Sequence, residues 1–421
     1  MSGIVVRRSG PLTGTVRVPG AKNSVLKLMA ASILAPGTYR LSNVPTIVDV
    51  PIMAELLGAI GIRWTIDPAS ATVELTNDGD LIPVAPYELV ERIRASINVL
   101  GPLLGRCGQA RISLPGGDDF GSRPIDMHVK GLEAMGVTFQ LRHGYLEAHT
   151  DLLHGADITL PYPSVGATEN LLTAAVLAKG TTVVDNAARE PEIGDLCHLL
   201  VAMGAEIEGI GSSTLVVHGV PADSLRPAEH RVMPDRIQAA TYLAALGVCG
   251  GEIEVLEARA EHMEMLLDRF AEMGMSISPG HDRISAWCDR RLDAVDVATL
   301  PYPGVATDYK PLLVTMLTVA DGVGIVTENL YPGRFRYVEE LCRLGADIRT
   351  NGHHAVVRGV PHLMGAPVRA HDIRAGAALV IAGLAATGET VIADVHHVDR
   401  GYEDLVGKLG SLGASLERVG D

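Results

Sequence analysis

Twelve glycines that recur at intervals of about 70 residues constrain the fold more than any other feature of the sequence. The first marker is an Ala- and Leu-rich stretch that ends at a glycine and enters a β-branched run, with its glycines at Gly37, Gly108, Gly180, Gly251, Gly322 and Gly388. The second is a Met-, Leu- or Ile-Gly step followed by alternation, with its glycines at Gly61, Gly136, Gly204, Gly274, Gly345 and Gly413. Helices commonly end at such glycines. Each repeat of about 70 residues is therefore predicted to hold two helices, each followed by a strand.

The hydrophobic pattern of each repeat predicts how its helices pack. The first helix is apolar nearly all round, which indicates burial, whereas the second is amphipathic, as in VPIMAELLGAIG. Further alternating runs supply more strands. We therefore predict an α/β protein with six βαβαββ-like repeats, three in each of two domains, with helices inside and sheets around them. A solenoid is the alternative, although solenoid units usually have about 20–50 residues.

Composition and charge limit the classes of partner. The formal net charge of −15 argues against a nucleic-acid partner, because phosphate neutralisation needs clustered Lys and Arg. No apolar run approaches the roughly 18 residues of a membrane span, and the N-terminus lacks the apolar stretch of a signal peptide. The five cysteines are scattered without a CxxC pair. These features predict a soluble, cytoplasmic protein.

The segment LPGGDDFGSRPID, residues 114–126, is the first candidate for a catalytic loop. Two glycines precede Asp118 and Asp119, and Arg123 follows five residues after Asp118. Glycine and aspartate are common in turns, so a surface turn is the alternative interpretation.

Taken together, the repeat and several segments resemble the enolpyruvyl transferases. The resemblance runs almost from end to end and includes VPGAKNSVLKLMAAS, RASINVLGPLLGR, LPGGDDFGSRPIDMH, PSVGATENLLTAA, the TD of GVATD, DIRAGAALVIAG and VDRGY. It implies two inside-out α/β domains joined by a double crossover, with residues 21–230 in the first and residues 1–20 plus 231–421 in the second. The catalytic loop would belong to the first domain, and the active site would lie in the cleft between the domains.

The reaction implied by the resemblance moves the enolpyruvyl group of phosphoenolpyruvate onto the 3-hydroxyl of UDP-N-acetylglucosamine and releases phosphate. It proceeds by addition and elimination, needs neither a metal nor an organic cofactor, and begins peptidoglycan synthesis. The sequence departs from the usual pattern at Val305, Ala306, Lys310 and residues 331–333. Two alternatives therefore stay open: a paralogue that acts on another UDP-sugar or nucleoside, and a non-catalytic homologue that binds nucleotide sugars.

Phosphoenolpyruvate is small and highly anionic, so its pocket requires cations, preferably bidentate arginines. The resemblance implies that it is bound by Lys22, Asn23, Arg123, Arg374 and Arg400. Asp118 matches the position of the general acid and Asp308 that of the base, and Lys22 and Arg400 complete the catalytic set. Most members have cysteine where this chain has Asp118. A carboxylate is a much poorer nucleophile than a thiolate, which predicts resistance to the alkylating epoxide fosfomycin.

The segment PSVGATEN is the candidate diphosphate site. It predicts a helix that begins after Ser164, where exposed amides and the helix dipole suit a diphosphate. A serine before a helix is, however, usually only an N-cap. The resemblance implies a UDP-sugar site formed by Asn23, Arg94, Arg123, Pro124, Ile125, Asp126, Met127, Ser164, Val165, Gly166, Asp308, Leu330, Arg334 and Asp372.

Overall fold

The computed structural model describes residues 3–116 and 124–420, which form two compact units. The terminal unit comprises residues 3–19 and 234–420, and the central unit comprises residues 20–116 and 124–233. Each unit has its own hydrophobic core, built mostly from Leu, Val, Ile and Ala. The predicted general acid Asp118 and the predicted substrate-binding residue Arg123 lie outside the described residues.

Helices and strands alternate along the described chain. The helices are α1 (Lys22–Ala31), α2 (Asp49–Ile60), α3 (Tyr87–Val90), α4 (Leu100–Cys107), α5 (Asp126–Ala134), α6 (Val165–Ala175), α7 (Pro191–Ala202), α8 (Arg236–Cys249), α9 (Glu264–Glu272), α10 (Lys310–Val319), α11 (Tyr337–Arg343), α12 (Ile373–Ala385), α13 (His396–Asp399) and α14 (Leu405–Ser411). Two short 3-10 helices span Arg94–Val99 and Ala260–His262.

The strands are short, from two to six residues. They are β1 (Gly3–Arg7), β2 (Leu12–Arg17), β3 (Gly37–Ser42), β4 (Ile62–Asp67), β5 (Thr72–Asn77), β6 (Val84–Ala85), β7 (Gln109–Ser113), β8 (Thr138–Arg142), β9 (Tyr145–His149), β10 (Asp157–Thr159), β11 (Thr181–Asp185), β12 (Glu206–Glu208), β13 (Thr214–His218), β14 (Glu229–Arg231), β15 (Gly251–Leu256), β16 (Ser276–Pro279), β17 (Arg283–Cys288), β18 (Val297–Ala298), β19 (Val323–Thr327), β20 (Asp347–Asn351), β21 (His354–Arg358), β22 (Leu363–Met364), β23 (Pro367–Arg369), β24 (Ala386–Thr387), β25 (Glu389–Ala393) and β26 (Ser415–Val419).

The predicted repeat appears as one sheet topology used six times within the described residues. The sheets of the central unit are β14-β3-β5-β4, β6-β7-β9-β8 and β10-β11-β13-β12, and those of the terminal unit are β2-β15-β17-β16, β18-β19-β21-β20 and β23-β25-β1-β26. The first two strands of each sheet are parallel and the remaining neighbours are antiparallel. A parallel pair needs a crossover, whereas an antiparallel pair can be joined by a tight turn. The βαβαββ prediction is thereby confirmed.

All twelve marker glycines have positive φ angles. The values are 67° to 125° for the first marker and 90° to 110° for the second. Gly251 also permits a close approach, because a Cβ atom at this position would lie 2.0 Å from the carbonyl oxygen of Leu12 on the paired strand β2. The repeat is therefore visible in the sequence because its turns require a residue without a side chain.

The first helix of each repeat is buried, as its all-round apolar pattern predicts. In the terminal unit, α8, α10 and α12 pack against one another beneath the three sheets. In the central unit, the 3-10 helix Arg94–Val99 leads into α4 and contacts both α1 and α6. Helices that meet in this way exclude the solenoid alternative, in which each repeat contacts only its neighbours.

A buried ion pair joins two of the central unit's helices. The side chains of Lys27 on α1 and Glu169 on α6 are 3% and 6% exposed and in direct contact. Asn98 also hydrogen-bonds to Glu169. Burial raises the pKa of Glu169 more than the charge of Lys27 lowers it. The central unit thus buries a lysine and a glutamate that depend on each other.

Within the described residues, the main chain passes between the units after residue 19 and after residue 233. In the central unit the amide of Ala21 donates to the carbonyl of Met233 at 2.7 Å, and in the terminal unit the amide of Asp235 donates to the carbonyl of Pro19 at 2.9 Å. Strand β1 completes a sheet formed by the last residues of the chain, as the resemblance implies. Within residues 3–116 and 124–420, no helix is long and apolar enough to cross a membrane.

Candidate active site

Asp308 contacts two buried arginines of the terminal unit just before helix α10. Its Oδ1 accepts a hydrogen bond from Nη1 of Arg334 at 2.8 Å, and its Oδ2 accepts one from Nε of Arg374 at 3.1 Å. The arginine side chains are only 3% and 4% exposed, whereas that of Asp308 is 24% exposed. We call these three residues the Asp308 cluster. Asp308 is therefore the most solvent-exposed residue of the cluster.

The electrostatics of the Asp308 cluster favour the ionised carboxylate. Burial by itself would raise the pKa of Asp308, but the charges of Arg334 and Arg374 outweigh burial and hold this pKa well below its usual range. The carboxylate correspondingly raises the pKa of Arg374, although burial opposes the change. Asp308 is therefore a hydrogen-bond acceptor at every pH near neutrality, and a weak base.

The N-terminus of α12 fixes Arg374 in the Asp308 cluster. Oδ1 of Asp372 accepts hydrogen bonds from the amides of Arg374 and Ala375, each at 2.8 Å. This geometry is an N-cap, which satisfies amides that have no partner inside the helix. Asp372 is buried and interacts electrostatically with Arg334. Its side chain thus has a structural role, and its place in the UDP-sugar site stays a prediction.

A second buried ion pair adjoins the Asp308 cluster. Nζ of Lys310 lies 2.9 Å from Oε2 of Glu328, and neither side chain is exposed to solvent. The same Oε2 accepts a hydrogen bond from Thr307 at 2.7 Å, and the Thr307 hydroxyl accepts one from Nη1 of Arg334 at 3.2 Å. Lys310, which departs from the family pattern, is therefore paired with Glu328 inside the protein.

The other predicted residues of the terminal unit have varied surroundings. Leu330 is half-buried, and its amide donates to Oε1 of Glu328 at 2.8 Å. Arg400 is half-buried and follows directly after α13. Val305 packs in the core of the terminal unit, with Ala306 against it. The changes at residues 305 and 306 thus alter core packing.

In the central unit, Lys22 and Asn23 begin helix α1. Nζ of Lys22 lies 3.1 Å from Oδ2 of Asp49, a buried residue at the start of α2. Asn23 is exposed. Because the Asp49 carboxylate is buried, it restrains the position of the lysine ammonium.

The predicted diphosphate turn has the N-cap that its sequence indicates. Oγ of Ser164 accepts a hydrogen bond from the amide of Ala167 at 3.3 Å. Val165 and Gly166 occupy the first turn of α6, where amide groups and the positive end of the helix dipole attract anions. A Cβ atom on Gly166 would lie 3.1 Å from Cε1 of His128. The turn therefore packs directly against α5.

His128 connects two predicted parts of the UDP-sugar site. Its ring accepts a hydrogen bond at Nδ1 from the Asn170 amide at 3.0 Å, and Asn170 Oδ1 accepts one from the amide of Gly101 at 2.7 Å. Burial, together with the positive charge of Arg94, lowers the pKa of His128 to about 4. The imidazole is thus neutral at physiological pH, and it links the segment 124–127 to the turn at Gly166.

The remaining residues of the central unit lie at the start of α5 or beside it. Pro124 and Asp126 are exposed, and Ile125 and Met127 are half-buried. Arg94 is half-buried and donates from Nη1 to the carbonyl of Pro115 at 3.3 Å.

Four residues with buried polar contacts in these units were not predicted from the sequence: His128, Glu169, Asn170 and Glu328. Three of them lie in segments that resemble the family: His128 ends LPGGDDFGSRPIDMH, and Glu169 and Asn170 lie in PSVGATENLLTAA. Their positions in motifs were the available signal, but only packing shows what they contact. Glu328 lies in no such motif and is recognisable only as the partner of Lys310.

The comparisons with known proteins decide the family. A family model described as EPSP synthase (3-phosphoshikimate 1-carboxyvinyltransferase) matches residues 6–409. The chain belongs to the EPSP synthase family. The resemblance to enolpyruvyl transferases is confirmed, and so is the prediction of an α/β fold with repeats.

Relatives within the EPSP synthase family match the chain over nearly its full length. It is 50% identical to the UDP-N-acetylglucosamine 1-carboxyvinyltransferase of Mycolicibacterium paratuberculosis over 99% of both chains. It is 51% identical to the enzyme of that name from Nocardia farcinica, over 97% of this chain and 96% of the relative. Among solved structures, the enolpyruvyl transferase NikO from Streptomyces tendae matches with a TM-score of 0.90 and 28% identity, over 99% and 98% of the chains. An EPSP synthase from Acinetobacter baumannii, with a TM-score of 0.76, 17% identity and complete coverage of both chains, shares the fold.

Proposed function

We propose that this chain transfers the enolpyruvyl group of phosphoenolpyruvate to the 3-hydroxyl of UDP-N-acetylglucosamine and releases phosphate. The observation that carries the proposal is the identity of about half of all residues, over nearly the full length, to enzymes named for this reaction. The paralogue alternative is less favoured, because both of these relatives are named for the same reaction. We also propose a cytoplasmic location and a role at the start of peptidoglycan synthesis, because these follow from the two substrates.

In the proposed reaction, cations bind phosphoenolpyruvate and the ionised Asp308 faces the acceptor hydroxyl. We assign phosphoenolpyruvate to Lys22, Asn23, Arg123, Arg374 and Arg400. We assign the UDP-sugar to Asn23, Arg94, Arg123, residues 124–127, residues 164–166, Asp308, Leu330, Arg334 and Asp372. The neutral His128 and the anion-attracting turn that it supports favour a diphosphate near Gly166.

The proposed chemistry has two stages, and its protons balance. In the addition, the acceptor oxygen bonds to C2 of phosphoenolpyruvate, its proton passes toward Asp308, and Asp118 donates a proton to C3. In the elimination, C3 returns a proton to the Asp118 carboxylate, the double bond forms again, the C2–O bond to phosphate breaks, and the proton held by Asp308 passes to the departing phosphate. The low pKa of Asp308 makes it a weak base. We therefore propose that the hydroxyl loses its proton while it attacks C2 and not before.

Phosphate release measures this function directly. With phosphoenolpyruvate and UDP-N-acetylglucosamine, we expect release of phosphate and a nucleotide product heavier by one enolpyruvyl unit, detected by mass spectrometry. Each substrate alone is the control. Release with another UDP-sugar or a uridine nucleoside, but not with UDP-N-acetylglucosamine, would favour the paralogue. Binding of UDP-sugars without release from any of them would favour a non-catalytic homologue.

Fosfomycin should not inactivate this enzyme, because Asp118 is a carboxylate where most relatives have a thiol. We expect the wild type to retain its turnover after preincubation with the drug, and intact-mass analysis to show no adduct. The variant Asp118→Cys should gain an adduct and lose turnover with time, because the thiolate opens the epoxide. Rapid labelling of Asp118 in the wild type would contradict the prediction.

A further inference from the structure

The buried pair Lys310–Glu328 has a geometry that reaches beyond its own ion pair. Oε1 of Glu328 accepts hydrogen bonds from the Thr299 hydroxyl at 2.7 Å, from the Leu330 amide at 2.8 Å and from the Tyr331 amide at 3.1 Å. Oε2 accepts from Thr307 and pairs with Lys310. One carboxylate therefore fixes the beginning of segment 328–334, which contains both Leu330 and Arg334.

Lys310 fixes the other end of the same segment. Its ammonium donates a hydrogen bond to the main-chain carbonyl of Arg334 and lies 3.8 Å from the centre of the Phe335 ring. Lys310 is also the first residue of α10, where the helix dipole disfavours a cation. A fully buried lysine at this position is stabilised only through the groups that it contacts. Its contacts therefore indicate its role.

The Thr307 hydroxyl transmits this order to the Asp308 cluster. It donates to Glu328 and accepts from Nη1 of Arg334, the nitrogen that also contacts Asp308. Arg334 is thus held through its carbonyl by Lys310 and through its guanidinium by Thr307. The departures at Lys310 and at residues 331–333 belong to one network, since both touch Glu328 or Arg334.

We propose that Lys310 and Glu328 are positioning residues for the acceptor side of the reaction. Together they fix segment 328–334, and through it they hold Leu330 in place and the Arg334 guanidinium on Asp308. This inference rests on the proposed function, because it assigns Asp308, Arg334 and Leu330 to the acceptor. It predicts that disturbance of the pair affects the UDP-sugar more than phosphoenolpyruvate.

Steady-state kinetics of Lys310→Met tests the proposal. We expect the KM for UDP-N-acetylglucosamine to rise about tenfold, since the variant leaves a buried carboxylate unpaired, and the KM for phosphoenolpyruvate to change less than about threefold. The double variant Lys310→Gln with Glu328→Gln removes both charges and retains a hydrogen bond, so it should restore the acceptor KM to within about threefold of wild type. Arg283→Met is the matched control, because it removes an exposed ion pair to Glu254 in the same unit.

The pH dependence of the acceptor KM provides a readout that a merely structural role would not change. Burial lowers the pKa of Lys310 to about 8 although Glu328 opposes this, and the other charged or titratable groups that face the ammonium are Arg334, Asp372 and Tyr337. As the pH rises through about 8 the ammonium loses its charge. The wild-type acceptor KM should then rise, and the Lys310→Met variant should lack this rise.

The outcomes separate the two proposals. If the wild type releases no phosphate with UDP-N-acetylglucosamine, the proposed function is wrong, and calorimetric affinities of wild type and Lys310→Met for this UDP-sugar then test the positioning role. If both proteins turn over and show equal acceptor KM values and equal pH profiles, the positioning role is wrong. A parallel loss of affinity for both substrates would also contradict it. Thermal unfolding of each variant identifies any that fails to fold.

Discussion

Replacing Asp308 by asparagine is expected to lower kcat about 10³-fold, within the range usual for loss of a general acid or base. Asparagine keeps the shape of the side chain and can accept hydrogen bonds, but it cannot take the acceptor proton. The substitution also removes the carboxylate charge that pairs directly with the buried Arg334 and Arg374. The measurement is phosphate release under saturating concentrations of both substrates.

The control for this variant is Asp321→Asn, which removes an exposed carboxylate 3.8 Å from Arg291 in the same unit. We expect it to keep wild-type turnover, because exposed ion pairs contribute little. Thermal unfolding distinguishes lost chemistry from lost structure. If Asp308→Asn destabilises the protein yet keeps kcat within about threefold of wild type, Asp308 serves only to pair the arginines.

The pH dependence of the Asp308 cluster follows from the direction of its pKa. Asp308 has a folded-state pKa below its unfolded value of about 3.9, so its pairing stabilises the protein above that value. This stabilisation is lost only as the pH falls through the lower, folded-state pKa. The cluster is thus intact across the neutral and mildly acidic range. A loss of turnover between pH 5 and pH 7 would have to arise from another group.

Replacing Lys27 by methionine is expected to destabilise the protein by about 3–5 kcal/mol, because it leaves Glu169 buried without a counter-charge. Methionine has nearly the same length and fills the space of the lysine stem. The loss of folding stability in Lys27→Met should increase as the pH rises. Glu169 already has a raised pKa in the folded state, and removal of the Lys27 charge raises it further. The folded protein then binds a proton that the unfolded chain releases, so stability falls as the pH rises.

Urea unfolding followed by circular dichroism at pH 6 and pH 8 measures this effect. The control is Lys130→Met, whose exposed pair with Asp126 has a separation of 3.6 Å and should contribute less than about 1 kcal/mol. The double variant Lys27→Met with Glu169→Gln should regain stability and lose the added pH dependence. A Lys27→Met protein as stable as wild type at both pH values would show that Glu169 is satisfied without the lysine.

The parts of the fold that the sequence predicts are those fixed by local rules. Marker glycines such as Gly61 and Gly251 are predictable because their positive φ angles exclude most other residues. The pattern of buried first helices is predictable for the same reason, since burial on all sides requires an apolar surface. The period alone does not predict that β14 completes the first sheet of the central unit, because that pairing joins distant segments.

The parts that could not be predicted depend on pairs of distant residues. Lys27 and Lys310 are charged residues beside apolar neighbours, and nothing local shows that Glu169 and Glu328 neutralise them. The contact between Asp308 and Arg374 likewise cannot be predicted from their positions in the sequence, because Arg374 lies 66 residues after Asp308. The residues of the Asp308 cluster were predicted from the family resemblance, and the structure shows their contacts.

Among the described residues, 20–116 and 124–233 form one insertion between residues 19 and 234 of the terminal unit. In each unit the two chain ends at the boundary lie close together. Ala21 hydrogen-bonds to Met233 in the central unit, and Asp235 hydrogen-bonds to Pro19 in the terminal unit. A linker of a few residues would therefore close the gap between residues 19 and 234 of the terminal unit at a small cost in loop entropy. We therefore expect that residues 20–233 and a terminal unit with this gap linked can each be expressed from its own reading frame without circular permutation.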